Sequence, residues 1–227
     1  MTQTVFTHEF NQQTKVGEVA RLLPGATRVF RAHRIDFCCG GGVTLQEACK
    51  DNLQVVLDSL QTLQDMSAPL KSPMEKSLAE LTHFIVSVYH EKHRRDLPEL
   101  LIMAQRVETV HAENPQCPQG LAHRLSAMYA EMQIHMQKEE QILFPAIEDG
   151  VSGAHLLGPV TVMRQDHEDL GRDMAELERL THNFTLPDGA CNTWAALYLG
   201  VQTFINDLME HVHLENNVLF PRVMGEI

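Results

Sequence analysis

The sequence predicts an all-α protein, an antiparallel four-helix bundle over residues 77–227 preceded by a small helical domain over residues 1–68. Three observations carry this. After residue 77, apolar side chains recur in steps of three and four through four long segments, the pattern of helices that turn one face inward. The chain also repeats itself: HMQKEEQILFP at 135–145 returns seventy-six residues later as HVHLENNVLFP at 211–221. HEKHRRDL at 90–97 returns as HEDLGRDM at 167–174, so the second half is built like the first and implies a pseudo-two-fold bundle. Between the domains, MSAPLKSPMEK at 66–76 holds two prolines and two serines and no apolar period, which reads as a linker.

Residues 1–14 are polar and patternless and read as a loose tail. Val16, Val19, Leu22 and Leu23 space a short helix that stops at Pro24-Gly25. Thr27 is the candidate cap of a second helix carrying Val29 and Phe30. The glycines at 40–42 form a turn, and Thr44 with Glu47 fits a capping box that opens a third helix. Leu53, Val56, Leu57, Leu60 and Leu63 then mark an amphipathic helix.

The first bundle helix begins near Ser77 and carries Val86, His90, His93, Leu97, Leu100 and Ala104, with Pro98 expected to kink or break it. The second carries Leu121, Leu125, Met128, Met132, His135, Glu139 and Ile142. Pro159 is suited to the first position of the third, which reads Val160, Met163, His167, Leu170, Met174, Leu177. The fourth follows a turn at 185–189 and reads Leu197, Val201, Phe204, Leu208, His211, Glu215, Val218. Each LFP is expected to pack and then end its helix with a proline kink.

Composition narrows the function. Hydrophobic residues make up 44% and charged residues 21%, enough apolar side chain to bury a core. A formal net charge of −12 argues against nucleic acid and against an anionic membrane surface. No apolar run is long enough to span a bilayer, and the N-terminus lacks the basic start and apolar centre of a signal peptide, so the cytoplasm is expected. Five cysteines, an odd number at irregular spacing, do not form a disulfide framework.

The chemistry sits on the inward stripes. His135 and Glu139, like His211 and Glu215, are four residues apart, so each pair shares one helix face. With His90 and His167 they make four imidazoles and two carboxylates converging at a middle layer of the bundle. Buried carboxylates need compensating positive charge, and metal ions supply it. Imidazole with carboxylate suits iron, manganese or zinc, and the absence of thiolate disfavours structural zinc or an iron–sulfur site. Two shared carboxylates predict two metals, each with two histidines and both glutamates bridging. Glu131 and Asp166 are candidate outer partners of the ligands or residues lining the approach to them. Glu140 reads as a surface charge, and His93 and His213 as packed or solvated. Cys38 and Cys39 are candidate redox thiols, with Arg31, His33 and Arg34 close enough in sequence to lower a thiol pKa.

With these residues in place, the bundle resembles the hemerythrin-like di-iron proteins, and the chain from VGEV at 16–19 to VLFPRV at 218–223 resembles the repair-of-iron-centres family. The motifs that carry the resemblance are IDFCCGG at 35–41, YHEKHR at 89–94, QDHED at 165–169 and the two His-x-x-x-Glu-x-x-x-Leu-Phe-Pro blocks. The family's ligands fall on His90, His135, Glu139, His167, His211 and Glu215, the set read from the repeat. The resemblance implies a cytoplasmic protein with two non-haem irons, bridged by Glu139 and Glu215 and an oxo or hydroxo group. Its expected role is to restore iron–sulfur clusters damaged by nitrosative or oxidative stress, by donating iron from a labile site, with damaged iron–sulfur proteins as partners. The rival readings are nitric oxide scavenging or reduction, oxygen binding or sensing, and iron storage. Hemerythrins proper use more histidines, whereas here Asn216 and Asn217 follow Glu215, which speaks against oxygen carriage.

Overall fold

The computed structural model describes residues 10–66 and 73–227, so the expected tail at 1–9 and the centre of the expected linker lie outside the described residues. The chain divides into two compact units, Met1–Glu75 and Lys76–Ile227.

The first unit is helical: α1 (Val16–Leu22), α2 (Ala26–Ala32), α3 (Leu45–Cys49) and α4 (Leu53–Met66). Val16, Val19, Phe30, Phe37, Leu45, Val56 and Leu60 are all but fully buried and form its core. Thr44 caps α3 as expected: its hydroxyl accepts from the Glu47 N–H at 3.2 Å, and the Glu47 carboxylate accepts from the Thr44 N–H at 2.9 Å. Thr27 does not cap α2. That position belongs to Gly25, whose φ of 88° lets the chain turn out of α1, and Thr27 lies buried inside the helix.

The second unit is the bundle. Ser77 and Glu80 form a capping box at the start of α5 (Leu78–Phe84). A π-helical turn, Ile85–His90, leads directly into α6 (Glu91–Val110). The helix runs through Pro98 instead of breaking there. The second long helix comprises α7 (Leu121–Lys138), a π turn Glu139–Leu143 and α8 (Phe144–Glu148). The third is α9 (Leu157–Leu180), in which Pro159 occupies the third position rather than the first. The fourth comprises α10 (Asn192–Leu214), a π turn Glu215–Leu219 and α11 (Phe220–Met224). Packing is a closed ring: α6 on α7, α7 on α9, α9 on α10 and α10 on α6. That is the neighbour set of an up-down-up-down bundle with short loops.

Neither LFP ends its helix. In a π turn the N–H bonds to the carbonyl five residues back, which takes up one extra residue. Phe144 donates to the Glu139 carbonyl and Phe220 to the Glu215 carbonyl, and in the first helix Glu91 donates to Val86. Pro145 and Pro221 follow those turns as the second residue of α8 and α11, where a missing N–H costs little.

The middle of the bundle is lined by Leu97, Leu125, Met128, Met132, Val201, Phe204 and Leu208, all at most 2% exposed. Polar bonds tie neighbouring helices at the rim. Lys92 donates to Asp207 at 2.5 Å, Arg124 pairs with the buried Asp173, and Thr82 donates to Glu148 at 2.6 Å.

Candidate metal centre

All six residues of the repeat meet inside the bundle. His90, His135, Glu139, His167, His211 and Glu215 are each at most 3% exposed. Their ligand atoms form two groups, each lying within 4.8 Å of one another: His90, His211, Glu139 and Glu215, and His135, His167, Glu139 and Glu215. The carboxylates divide between the groups. Glu139 turns Oε2 to His90 Nε2 at 3.4 Å and Oε1 to His135 Nε2 at 3.3 Å. Glu215 turns Oε1 to His211 Nε2 at 3.2 Å and Oε2 to His167 Nε2 at 3.0 Å.

Three of the four ligand helices carry the π turn at a ligand. His90 closes the first turn, and Glu139 and Glu215 open the other two. Only α9, which supplies the single ligand His167, is regular throughout.

The outer edges of the rings set their tautomers. His90 Nδ1 lies 2.6 Å from Glu140 Oε1, and the same oxygen accepts from Arg94 at 2.6 Å. His135 Nδ1 lies 3.3 Å from Asp166 Oδ2, which also accepts from Lys138 at 2.8 Å. His167 Nδ1 lies 2.9 Å from Asn216 Oδ1. A carboxylate can only accept, so each such Nδ1 donates to it, which leaves Nε2 as the nitrogen that would offer a lone pair inward to a metal. Around His211 the outer neighbours are rings: Tyr89 stacks on it at 5.7 Å and His93 sits at 5.4 Å. The duplication relates these contacts, since Glu140 corresponds to Asn216 and Asp166 to Tyr89. Each histidine pair therefore has one ring backed by a carboxylate and one backed by a neutral group. The phenylalanines of the two LFP segments close the site, Phe144 against His90 and Phe220 against His167, each at 5.9 Å.

The electrostatics favour a cation. Burial pushes Glu139 and Glu215 towards the neutral form, as does the charge of Glu215 on Glu139, yet the surrounding histidines outweigh this and hold both below the ordinary carboxylate range. Burial likewise opposes charge on His135, but Glu139 and Asp166 override it and raise its pKa. His211 and His93 are driven well down, chiefly by burial and then by neighbouring imidazoles. Neither oxygen of Glu139, nor His135 Nε2, finds a well-aligned hydrogen bond among the described residues. Leaving buried charges so poorly bonded costs several kcal/mol per ion. Cations between the two groups would meet those lone pairs, and the borderline nitrogen and oxygen donors fit iron. Loading the site displaces the proton that His135 holds.

The remaining expectations divide. Asp166 stands beside the outer edge of His135. Glu131 is solvent-exposed and outside the cluster, because it lies about 70° round the helix from the centre of the stripe. Glu140, read as a surface charge, is the partner of His90. His93 and His213 are packed inside at 1% and 3% exposure.

In the first unit, Asp36 organises the double-cysteine loop, accepting from the backbone N–H groups of Cys38, Cys39 and Gly40 at 2.9–3.1 Å. The two sulfurs stand 3.7 Å apart without a disulfide. Cys38 is only 2% exposed, and its thiol is pushed up by its bond to Cys39, by burial and by Asp36. The expected lowering by Arg31, His33 and Arg34 is not met at Cys38, where the Cys39 contact and burial dominate and Asp36 adds to them.

Comparison with known proteins agrees with this geometry. Residues 83–223 match the hemerythrin HHE cation binding domain, and residues 12–64 match a domain of unknown function, DUF542. An iron-sulfur cluster repair protein YtfE from Yersinia pseudotuberculosis serotype IB (strain PB1/+) is 48% identical over 215 residues, covering 92% of this chain and 96% of the relative. YtfE from Yersinia pestis (strain Pestoides F) has the same identity and coverage. The chain belongs to the YtfE family. The resemblance read from the motifs thus holds over nearly the whole length, and the family's hemerythrin-like part spans all six converging residues. Among the described residues no helix is long and apolar enough to cross a membrane.

Proposed function

We propose that this chain holds two irons inside its bundle and restores iron–sulfur clusters, the role named for its YtfE relatives. One iron is assigned to His90 and His211 and the other to His135 and His167, with Glu139 and Glu215 each giving one oxygen to either side. The observation that supports this most is the division of the four carboxylate oxygens among four inward Nε2 atoms, at 3.0–3.4 Å. When bound, iron supplies a redox-active and exchangeable metal.

The protein's own residues would hold that iron only moderately. Glu140, Asp166 and Asn216 keep three rings turned inward, while no thiolate belongs to the set. Soft thiolates select iron–sulfur clusters, so an apo cluster protein rich in cysteine is the stronger acceptor and donation runs downhill. Damaged iron–sulfur proteins are then the partners.

The test is anaerobic transfer of iron from the loaded chain to an apo [4Fe–4S] protein supplied with sulfide. Cluster formation with matching loss of iron from the chain supports donation. An acceptor left empty while the chain keeps both irons contradicts it. Nitrous oxide formed from nitric oxide with no iron released would replace donation by nitric oxide reduction.

A further inference from the structure

Cys191 and His111 meet at an end of the bundle that takes no part in the metal centre. His111 caps the C-terminus of α6, and Cys191 is the N-cap of α10. Eighty residues apart in sequence, they place His111 Nε2 3.1 Å from the Cys191 sulfur. The imidazole is itself fixed, its ring lying 4.9 Å from that of Trp194, which is fully buried. His211 lies twenty residues further along the same helix, about 30 Å away at 1.5 Å per residue. Three features that stabilise a thiolate therefore coincide: an imidazole in hydrogen-bond reach, a helix N-terminus and partial exposure to solvent. The His111 contact, helped by the backbone N–H groups of Trp194 and Thr193, lowers the Cys191 pKa to about 7. Cys38, Cys49 and Cys117 are shifted the other way, Cys49 and Cys117 chiefly by burial.

We propose that Cys191, paired with His111, is a site of reversible S-thiolation by low-molecular-weight disulfides. The Cys191 thiolate attacks one sulfur of an external disulfide RSSR. A Cys191–SR bond forms, the S–S bond breaks, and RS⁻ leaves and takes a proton from water. Cys191 is oxidised, the departing sulfur is reduced, and a second thiol RSH reverses the exchange. His111 supplies the hydrogen-bonding neighbour that keeps the attacking sulfur ionised.

The full-length chain is treated at pH 6.5 with oxidised glutathione, and in parallel with the uncharged bis(2-hydroxyethyl) disulfide, and the adducts are located by peptide mass mapping. The first adduct is expected at Cys191 with both reagents, and dithiothreitol removes it. His111→Phe, which keeps a ring against Trp194, and His111→Gln should each slow the reaction roughly five- to tenfold. The lower thiolate fraction outweighs the gain in nucleophilicity that accompanies a higher pKa. Cys191→Ser should abolish the adduct. An unmodified Cys191 beside a modified Cys39, or equal rates in wild type and both His111 variants, would overturn the proposal.

Discussion

Replacing Glu140 by alanine tests whether the outer contacts govern metal binding. The substitution removes the 2.6 Å acceptor of His90 Nδ1 and the 2.6 Å partner of Arg94 in one step. In the loaded state His90 must offer Nε2 as a lone pair, so its proton stays on Nδ1, inside a ring whose side chain is fully buried. Without Glu140 that N–H has lost its acceptor, at a cost of about 1–3 kcal/mol. In the apo state the ring can move its proton to Nε2, towards Glu139, and avoid most of that cost. The loss should therefore appear in metal affinity and hardly at all in apo stability. Tenfold per about 1.4 kcal/mol makes it roughly 10–100-fold, the range seen for outer partners of metal-bound histidines. Glu140→Gln keeps an acceptor without the charge and should lose about three- to tenfold. The assay is iron competition against a chelator of known affinity, with thermal melts of the apo proteins alongside. Exposed Glu131→Ala should match wild type. An affinity of Glu140→Ala within about twofold of wild type, or an equal fall in apo stability, would refute the reasoning.

Other expectations are simpler. Glu139→Ala or Glu215→Ala should lose most of the bound iron and the thermal stabilisation that iron confers, since a ligand bound to the native state stabilises it by mass action. Iron analysis and paired melts with and without chelator check this. Residues 76–227 alone should fold as a helical, iron-loading protein, because all six ligands lie in the second unit; an insoluble or iron-free product would place essential contacts elsewhere. Cys38→Ala combined with Cys39→Ala should leave iron content unchanged and lower cluster repair in the transfer assay.

Most of the centre was legible because the chain was duplicated. A lone buried histidine says little, but His90 and His167 followed at matching distances by His135–Glu139 and His211–Glu215 define six converging side chains without any coordinates. What escaped was whatever depends on departures from regular helix. Glu140 was placed on the surface by assuming 100° per residue beyond Glu139. A π turn begins at Glu139, and the Glu140 side chain reaches across to the neighbouring helix, its carboxylate 2.6 Å from His90 Nδ1. A signal for it was present in the repeat, where Glu140 stands opposite Asn216 and Asp166 opposite Tyr89, polar or aromatic groups flanking each ligand. The prolines of LFP misled for the same reason, reading as helix ends when they follow wide turns inside continuing helices. Pro98 misled more simply, since packing on α7 and α10 holds α6 together across it. The pairing of His111 with Cys191 links the ends of two helices eighty residues apart, and no local pattern encodes it.

The central claim is that one buried layer holds two irons, shared by two glutamates. Anomalous diffraction at the iron edge from crystals of the loaded chain addresses it directly. The account predicts two peaks per chain, one contacted by His90 and His211 and the other by His135 and His167, with Glu139 and Glu215 reaching both. A single peak, or iron bound away from these six side chains, would contradict it.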